Sequence, residues 1–123
     1  MSKKKILIIE DEATLQKALT EFLEGEGFSV ISALDGEKGL SEAKEKKPDL
    51  IVLDIILPKK DGYQVLEELK GFPETKDIPV IFLTNLESNE DVERALEKGA
   101  TTYLVKSDYK LEDVTRKIKE ILK

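Results

Sequence analysis

Asp54 is the residue whose position most strongly suggests chemistry. It directly follows an apolar run at residues 50–53, and Pro58 and Asp61-Gly62 then turn the chain away. A continuous apolar run bounded by turn residues predicts a strand buried on both faces. Asp54 is therefore expected at the carboxyl end of a central strand. A lone aspartate there is more often a helix cap or a turn residue than a reactive carboxylate, so the other residues must distinguish the two interpretations.

Other polar residues follow the remaining apolar runs. They are Glu10 and Asp11 after residues 6–9, where Glu12 continues an acidic helix N-terminus, Thr84 after residues 80–83, and Lys106 after residues 102–105. Each has an ordinary interpretation as a helix N-terminus, a turn hydroxyl or a solvated lysine. However, the carboxyl ends of parallel strands lie at one edge of a sheet, where open α/β sheets bind their ligands. The shared position of these residues favours a site at that edge.

These residue types together indicate phosphoryl chemistry. Glu10, Asp11 and Asp54 would repel one another at short distance, and a hard cation would relieve that repulsion. Mg²⁺ suits such a site because it binds few protein carboxylates, keeps waters and shares phosphate oxygens. Lys106 and the hydroxyl of Thr84 offer an ammonium and a hydrogen bond to a phosphoryl group. The pattern predicts a carboxylate nucleophile beside a metal ion and phosphate-binding groups.

Helical patterns connect the predicted strands and indicate the fold class. Strands are predicted at residues 6–9, 28–33, 50–53, 80–83 and 102–105. Helices are predicted through Leu15 to Gly25 or Gly27, from Asp35-Gly36 to before Pro48, from Gly62 to Gly71, from Ser88 to Gly99, and over residues 111–122. Ser88 with Asp91 resembles a capping box, and Val92, Ala95 and Leu96 form the apolar face of the fourth helix. Five strand–helix units predict an α/β fold with a parallel sheet and helices on both faces.

Composition excludes several classes of function. With no Cys and no His, the 123 residues cannot form disulfides, build a Ser-His-Asp triad or bind zinc through imidazole. The net charge of −6 disfavours a nucleic-acid partner, because phosphate contacts require a basic face. No apolar run approaches the ~20 residues of a membrane span, and no secretory signal follows the basic start. We expect a cytoplasmic protein of one domain, residues 1–123.

Short motifs in this order and spacing resemble the receiver domain of bacterial two-component response regulators. They are Glu10-Asp11 after the first strand, Asp54 in LDIILP, Asp61-Gly62, Thr84 after VIFL, Gly99-Ala100, and YLVK ending at Lys106. The resemblance covers essentially the whole chain. It implies a flavodoxin-like (βα)5 fold, as in CheY-like proteins, with strand order 2-1-3-4-5.

The resemblance also implies how the site binds metal. Asp54 is expected to be the phosphoacceptor. Asp11, Asp54 and the backbone carbonyl of Ile56 are expected to bind Mg²⁺ directly, and Glu10 is expected to act through a metal-bound water.

Three further residues receive roles in the same way. The resemblance implies that Lys106 contacts the phosphoryl oxygens and that Thr84 moves to bond them. Tyr103 is expected to be the aromatic side chain that turns inward when Thr84 moves. A half-buried strand aromatic is an equally ordinary interpretation of Tyr103.

The implied function is a signalling domain that promotes its own Mg²⁺-dependent phosphorylation and dephosphorylation, not an enzyme with a separate substrate. A sensor histidine kinase or a histidine phosphotransfer protein would donate the phosphoryl group to Asp54. The surface of the fourth helix, fifth strand and fifth helix would then change and bind an unknown downstream protein. We expect no output domain after the fifth helix, unless the chain belongs to a longer protein.

Departures from the family pattern lead to two further expectations. Ser107 replaces the proline that usually follows the lysine in a cis bond. Because a cis bond before a residue other than proline costs about 3–4 kcal/mol, we predict a trans Lys106–Ser107 bond. Asn85 replaces a small residue, and the apolar Ile56 and Leu86 are expected to flank the path of attacking water. A long-lived phosphoryl group on Asp54 is therefore predicted.

Three other functions compete with this interpretation. A phosphohydrolase of the haloacid-dehalogenase type would need a second Asp two residues after the nucleophile, where this chain has Ile56. A flavodoxin-like cofactor binder would need a phosphate loop of Ser, Thr and Gly after the first strand, where Glu10-Asp11-Glu12 would repel phosphate. A designed or non-phosphorylated receiver-like adaptor that acts only by protein binding stays open.

Overall fold

The computed structural model describes residues 3–123 as alternating strands and helices. Their bounds are β1 Lys5–Ile9, α1 Ala13–Gly25, β2 Ser29–Ala33, α2 Gly36–Lys46, β3 Leu50–Leu53, α3 Gly62–Gly71, β4 Val80–Thr84, α4 Asn89–Glu97, β5 Thr102–Val105 and α5 Leu111–Leu122. A short 3₁₀ turn, Lys106–Asp108, separates β5 from α5. None of the described helices is long and apolar enough to cross a membrane.

The five strands form one parallel sheet in the order β2-β1-β3-β4-β5. In the register, Val52 of β3 lies between Ile8 of β1 and Ile81 of β4. The predicted α/β class, the flavodoxin-like strand order and all five strand–helix units are confirmed. Each strand is followed by a helix that returns the chain to the opposite edge, which brings every carboxyl strand end to a common edge.

Two hydrophobic cores lie on opposite faces of the sheet, because successive side chains of a strand point to opposite faces. On β1, Leu7 and Ile9 belong to one core and Ile6 and Ile8 to the other. The first core is closed by residues of α2, α3 and α4, and the second by residues of α1 and α5. Full burial of such a side chain contributes about 1.5–3 kcal/mol, so a shift in strand register would be costly. The cores thereby hold the strand ends in place.

The beginning of α4 differs from the predicted capping box. The hydroxyl of Ser88 accepts from the backbone N–H of Asp91 at 3.1 Å, which is the expected half. The carboxylate of Asp91 instead accepts from the Ser88 hydroxyl at 2.7 Å and from the Tyr63 hydroxyl of α3 at 2.9 Å. These two hydrogen bonds lower the pKa of Asp91. Leu96, predicted on the apolar face, is 47% exposed.

Gly62 lies where the chain turns from the end of β3 into α3. A Cβ atom there would lie 2.4 Å from the carbonyl oxygen of Asp54 and 2.7 Å from the Cα of Ile55, which are backbone atoms with little freedom to move. The N–H of Gly62 also donates to the Ile55 carbonyl at 2.8 Å. The Asp61-Gly62 motif is therefore required by close packing against the segment that carries Asp54.

Two glycine substitutions at opposite ends of α3 should separate this contact from helix propensity. Gly62→Ala is expected to lower the free energy of unfolding by about 2–3 kcal/mol, because the backbone of Asp54 must shift. Gly71→Ala, where a Cβ meets nothing within 4 Å, should leave stability unchanged or raise it by up to about 1 kcal/mol. Urea unfolding followed by circular dichroism measures both. Equal effects of the two substitutions would contradict the close approach at Gly62.

Candidate functional site

The carboxyl edge of the sheet gathers most of the predicted site residues. Asp54 follows β3, Glu10 follows β1, and Lys106 follows β5. Backbone hydrogen bonds continue the sheet one residue past the strands: the N–H of Asp54 donates to Ile9 at 3.1 Å, and that of Glu10 to Ala33 at 3.0 Å. The backbone of Asp54 and Glu10 is thus held by the same kind of hydrogen bond as the strands.

Three carboxylates meet at this edge. Glu10, Asp11 and Asp54 each offer an oxygen within 4.8 Å of the others. Glu10 and Asp54 are buried, whereas Asp11 is exposed. Burial is the main cause that raises the pKa of Glu10, and the nearby charge of Asp54 adds to it, while hydrogen bonds from Lys106 and the Glu12 N–H act in the opposite direction.

The ammonium group of Lys106 contacts three carboxylates. Its Nζ lies 2.8 Å from Oε1 of Glu10, 3.0 Å from Oδ2 of Asp54 and 3.3 Å from Oε1 of Glu12. Burial alone would lower the pKa of Lys106, but the hydrogen bonds and charges of Glu10 and Asp54 outweigh it and raise the pKa. The lysine therefore stays charged at neutral pH and offsets the repulsion between the two buried acids.

Glu12 is a contact that the sequence did not assign to the site. The sequence pattern predicts only that it belongs to an acidic helix N-terminus, yet its side chain reaches Lys106 from the start of α1. Its position two residues after Glu10 was the available signal. The contact depends on the direction in which the chain leaves β1, which spacing alone does not show.

Thr84 and Tyr103 both contact the loop that follows β4 instead of the carboxylates. Thr84 is fully buried, and its hydroxyl accepts from the Leu86 N–H at 3.5 Å. The hydroxyl of Tyr103 donates to the Leu86 carbonyl at 2.7 Å, and its ring lies 6.0 Å from that of Phe82. Burial raises the pKa of Tyr103 to about 12. These two predicted switch residues are linked through one residue, Leu86.

A shallow cavity of about 270 Å³ opens onto the carboxylates. Its lining residues are Asp11, Glu12, Asp54, Ile56, Asn85 and Lys106. Ile56 is 59% exposed at this mouth, whereas Leu86 packs against the hydrophobic core. Of the two apolar residues expected to flank the water path, Ile56 lines this cavity, together with Asn85, and Leu86 does not.

The trans prediction for Lys106–Ser107 is confirmed, since no cis peptide bond occurs within residues 3–123. The chain turns directly into the 3₁₀ segment that begins at Lys106.

The donor set fits a hard divalent cation. Carboxylate oxygens are the ligands that Mg²⁺ prefers, and a small open cavity leaves room for its waters. Glu10, Asp11 and Asp54 supply those oxygens from two neighbouring strand ends. The acidic cluster is thus compatible with a magnesium site.

Comparison with known proteins decides the family. A family model described as the response regulator receiver domain matches residues 6–119. The chain belongs to that family. It is 39% identical over 120 residues to the alkaline phosphatase synthesis transcriptional regulatory protein PhoP of Bacillus subtilis, covering 98% of this chain and 49% of PhoP. It is 36% identical over 120 residues to the phosphate regulon transcriptional regulatory protein PhoB of Escherichia coli, covering 98% of this chain and 52% of PhoB.

The receiver domain therefore spans about half the length of the curated relatives it matches. Among solved structures, CheY in the CheX-CheY-BeF3-Mg complex of Borrelia burgdorferi superposes with a TM-score of 0.89 at 31% identity, covering 98% of this chain and 90% of that one. The resemblance drawn from the sequence motifs is confirmed, and receiver domains of response regulators are signalling domains.

Removing the charge of Asp11 should stabilise the metal-free protein. The ion pairs of Lys106 are with Glu10, Glu12 and Asp54. Asp11 therefore lies close to two like charges, those of Glu10 and Asp54. Each repulsion at about 4–5 Å is worth roughly 1 kcal/mol near water, more than the 0.3–1 kcal/mol that a charge near a helix N-terminus contributes. In EDTA, Asp11→Asn is expected to raise the free energy of unfolding by about 0.5–1 kcal/mol.

Thermal and urea unfolding at low salt measure this gain, with Glu93→Gln on the exposed face of α4 as the charge-matched control. A stability of Asp11→Asn at or below that of the parent protein would show that the three acids do not repel as their distances indicate.

Proposed function

We propose that this receiver domain, acting as one unit over residues 1–123, accepts a phosphoryl group on Asp54 in a Mg²⁺-dependent reaction. The donor is the phosphohistidine of a sensor histidine kinase or of a histidine phosphotransfer protein in the cytoplasm. The observation that carries the proposal is the placement of a buried Asp54 carboxylate in an open cavity, 3.0 Å from the Lys106 ammonium and beside Glu10 and Asp11.

Asp54 is suited to act as the nucleophile. An oxygen of its carboxylate attacks the phosphorus, the bond from phosphorus to the donor imidazole nitrogen breaks, and the imidazole leaves with the bonding electrons. When bound, Mg²⁺ neutralises charge on the transferred group. Asp11, Asp54 and the Ile56 carbonyl would hold the ion directly, with Glu10 acting through water. The hydrogen bond from the Ile56 N–H to Oδ1 of Asp54, at 3.4 Å, helps to orient the carboxylate.

Lys106 supplies the positive charge that the transferred group needs. In the structure its ammonium already contacts Oδ2 of Asp54, so a small movement carries it to a phosphoryl oxygen. Glu10 and Asp54 raise its pKa and so keep it charged, and the three carboxylates hold it at the cavity lining.

The output follows from the loop after β4. When the hydroxyl of Thr84 moves to bond the phosphoryl group, its contact with the Leu86 N–H is lost. Leu86 also carries the carbonyl that holds the Tyr103 hydroxyl, so both switch residues act on the same short segment before α4. Two arrangements of this segment would present different surfaces of α4, β5 and α5 to a downstream protein.

The relatives support a magnesium-dependent phosphoprotein with a protein target. The B. burgdorferi CheY was solved with BeF3, Mg²⁺ and CheX, and PhoP and PhoB are named as transcriptional regulators. For the domain itself we propose no direct contact with nucleic acid and no insertion into a membrane. The alternative function is an adaptor that binds its partner without being phosphorylated.

Phosphorylation can be tested by intact mass spectrometry. Incubation with Mg²⁺ and a small acyl-phosphate donor should add one phosphoryl group, and EDTA or Asp54→Asn should prevent the addition. Asp77→Asn, an exposed aspartate before β4, should accept the group as the parent protein does. An unchanged mass of the parent protein in the presence of Mg²⁺ would reject the phosphoacceptor proposal in favour of the adaptor.

The phosphoryl group on Asp54 should be long-lived, because Ile56 at the cavity mouth cannot hydrogen-bond an attacking water. Ile56→Asn supplies an amide there and is expected to speed the loss of the group about three- to tenfold. A tenfold change corresponds to about 1.4 kcal/mol of activation free energy. The decay is followed by mass after removal of the donor. Leu34→Asn, a similarly exposed apolar residue outside the cavity lining, is the control and should decay at the parent rate. Equal rates for both variants would show that Ile56 does not limit water.

A further inference from the structure

Gln16 is a buried polar side chain that the proposed function does not use. It lies in the first turn of α1 and is only 5% exposed. Its Oε1 atom is the buried side-chain oxygen or nitrogen, among residues 3–123, that has no hydrogen-bond partner. Leaving a buried acceptor unpaired costs free energy, and an apolar side chain of similar size would avoid that cost. The amide nitrogen, Nε2, must therefore explain why a glutamine occupies this position.

The amide nitrogen of Gln16 faces three backbone carbonyls. Nε2 lies 3.0 Å from the oxygen of Ile8, 3.1 Å from that of Ala33 and 3.3 Å from that of Glu10. The opposite orientation of the amide would place an oxygen against three oxygens, so the orientation is determined by its surroundings. Because the amide has two hydrogens for three acceptors, one hydrogen is shared.

These carbonyls belong to the ends of two strands at the site edge. Ile8 lies in β1, Glu10 directly follows it, and Ala33 ends β2. The same Ala33 oxygen also accepts from the Glu10 N–H at 3.0 Å. Gln16 thus ties α1 to the peptide group that follows Glu10, to the Ile8 carbonyl of β1 and to the end of β2. The Glu10 carbonyl is part of the peptide that leads into Asp11, so its direction determines where the Asp11 side chain starts.

We propose that Gln16 is a positioning residue for the magnesium site. It holds the Glu10 carbonyl and thereby keeps the carboxylates of Glu10 and Asp11 in register with Asp54. The inference rests on the proposed function only in taking this acidic cluster as the Mg²⁺ site. Partners of this kind, one step removed from the ligands, typically change metal affinity ten- to a hundredfold when they are mutated.

A role limited to packing α1 on the sheet would predict a different outcome. In that case Gln16 would matter for stability and not for metal affinity. Leu23 provides the comparison, because it is fully buried two turns further along α1, in the core between the sheet, α1 and α5. Leu23→Ala should lower the melting temperature through the cavity it leaves, while the hydrogen bonds from Gln16 to the strand-end carbonyls stay in place.

Calorimetric titration of the full chain with Mg²⁺ alone, well below the melting temperature, distinguishes these roles. Gln16→Leu is expected to weaken Mg²⁺ binding about tenfold, and Leu23→Ala to leave it within about twofold of the parent protein despite a lower melting temperature. Gln16→Met, a flexible side chain of similar length, replaces Gln16→Leu if that variant does not fold.

Parent-like Mg²⁺ affinity in the Gln16 variant would overturn the inference, as would an equal loss of affinity in Leu23→Ala. Because the readout is binding, it is separate from phosphorylation. A parent protein that binds Mg²⁺ but gains no phosphoryl group would reject the proposed function and leave the role of Gln16 measurable. A parent protein that does not bind Mg²⁺ would overturn both.

Discussion

The contact of one ammonium with three carboxylates is the interaction on which the carboxyl edge depends. Two of these acids, Glu10 and Asp54, are buried, and unlike buried ion pairs they have no favourable interaction with each other. Like charges about 4 Å apart repel by roughly 4 kcal/mol at the effective dielectric constant near a protein surface. Lys106 offsets this because it donates to both. The two acids can therefore lie close together, as binding of a metal ion and of a phosphoryl group requires.

Strand order explains why a lysine has this role. β4 lies between β5 and β3, so a group that starts at the end of β5 must cross a neighbouring strand end to reach Asp54. Neighbouring strands are about 4.8 Å apart, so β5 lies about 10 Å from β3, and the long lysine side chain covers most of that distance while a short side chain does not. Thr84, at the end of β4, is correspondingly small and fully buried. The two cores on either face hold the sheet rigid beneath these residues, so hydrophobic burial stabilises an edge that electrostatics alone would separate.

The fold and most of the site could be predicted from the sequence because both depend on local patterns. Apolar runs at residues 50–53 and 80–83 end in a polar residue, and parallel strands bring such ends together. What could not be predicted depends on side-chain direction across the fold. The side chains of Glu12 and Gln16 both project from the start of α1. The contact of Glu12 with Lys106 and those of Gln16 with the strand-end carbonyls depend on the angle of that helix. The expected capping box at Ser88 is altered because Tyr63, distant in sequence, bonds the same carboxylate.

The aromatic residues around β4 have an optical consequence. The rings of Tyr63 and Tyr103 lie 5.8 and 6.0 Å from that of Phe82, centroid to centroid. Their hydroxyls donate to Asp91, in the first turn of α4, and to Leu86, in the loop before α4. The chain has three tyrosines and no tryptophan. Its near-ultraviolet absorption and emission therefore come mainly from tyrosine, and two of the three tyrosine hydroxyls bond to residues on either side of the start of α4. The unlabelled protein carries its own spectroscopic reporter of where α4 begins.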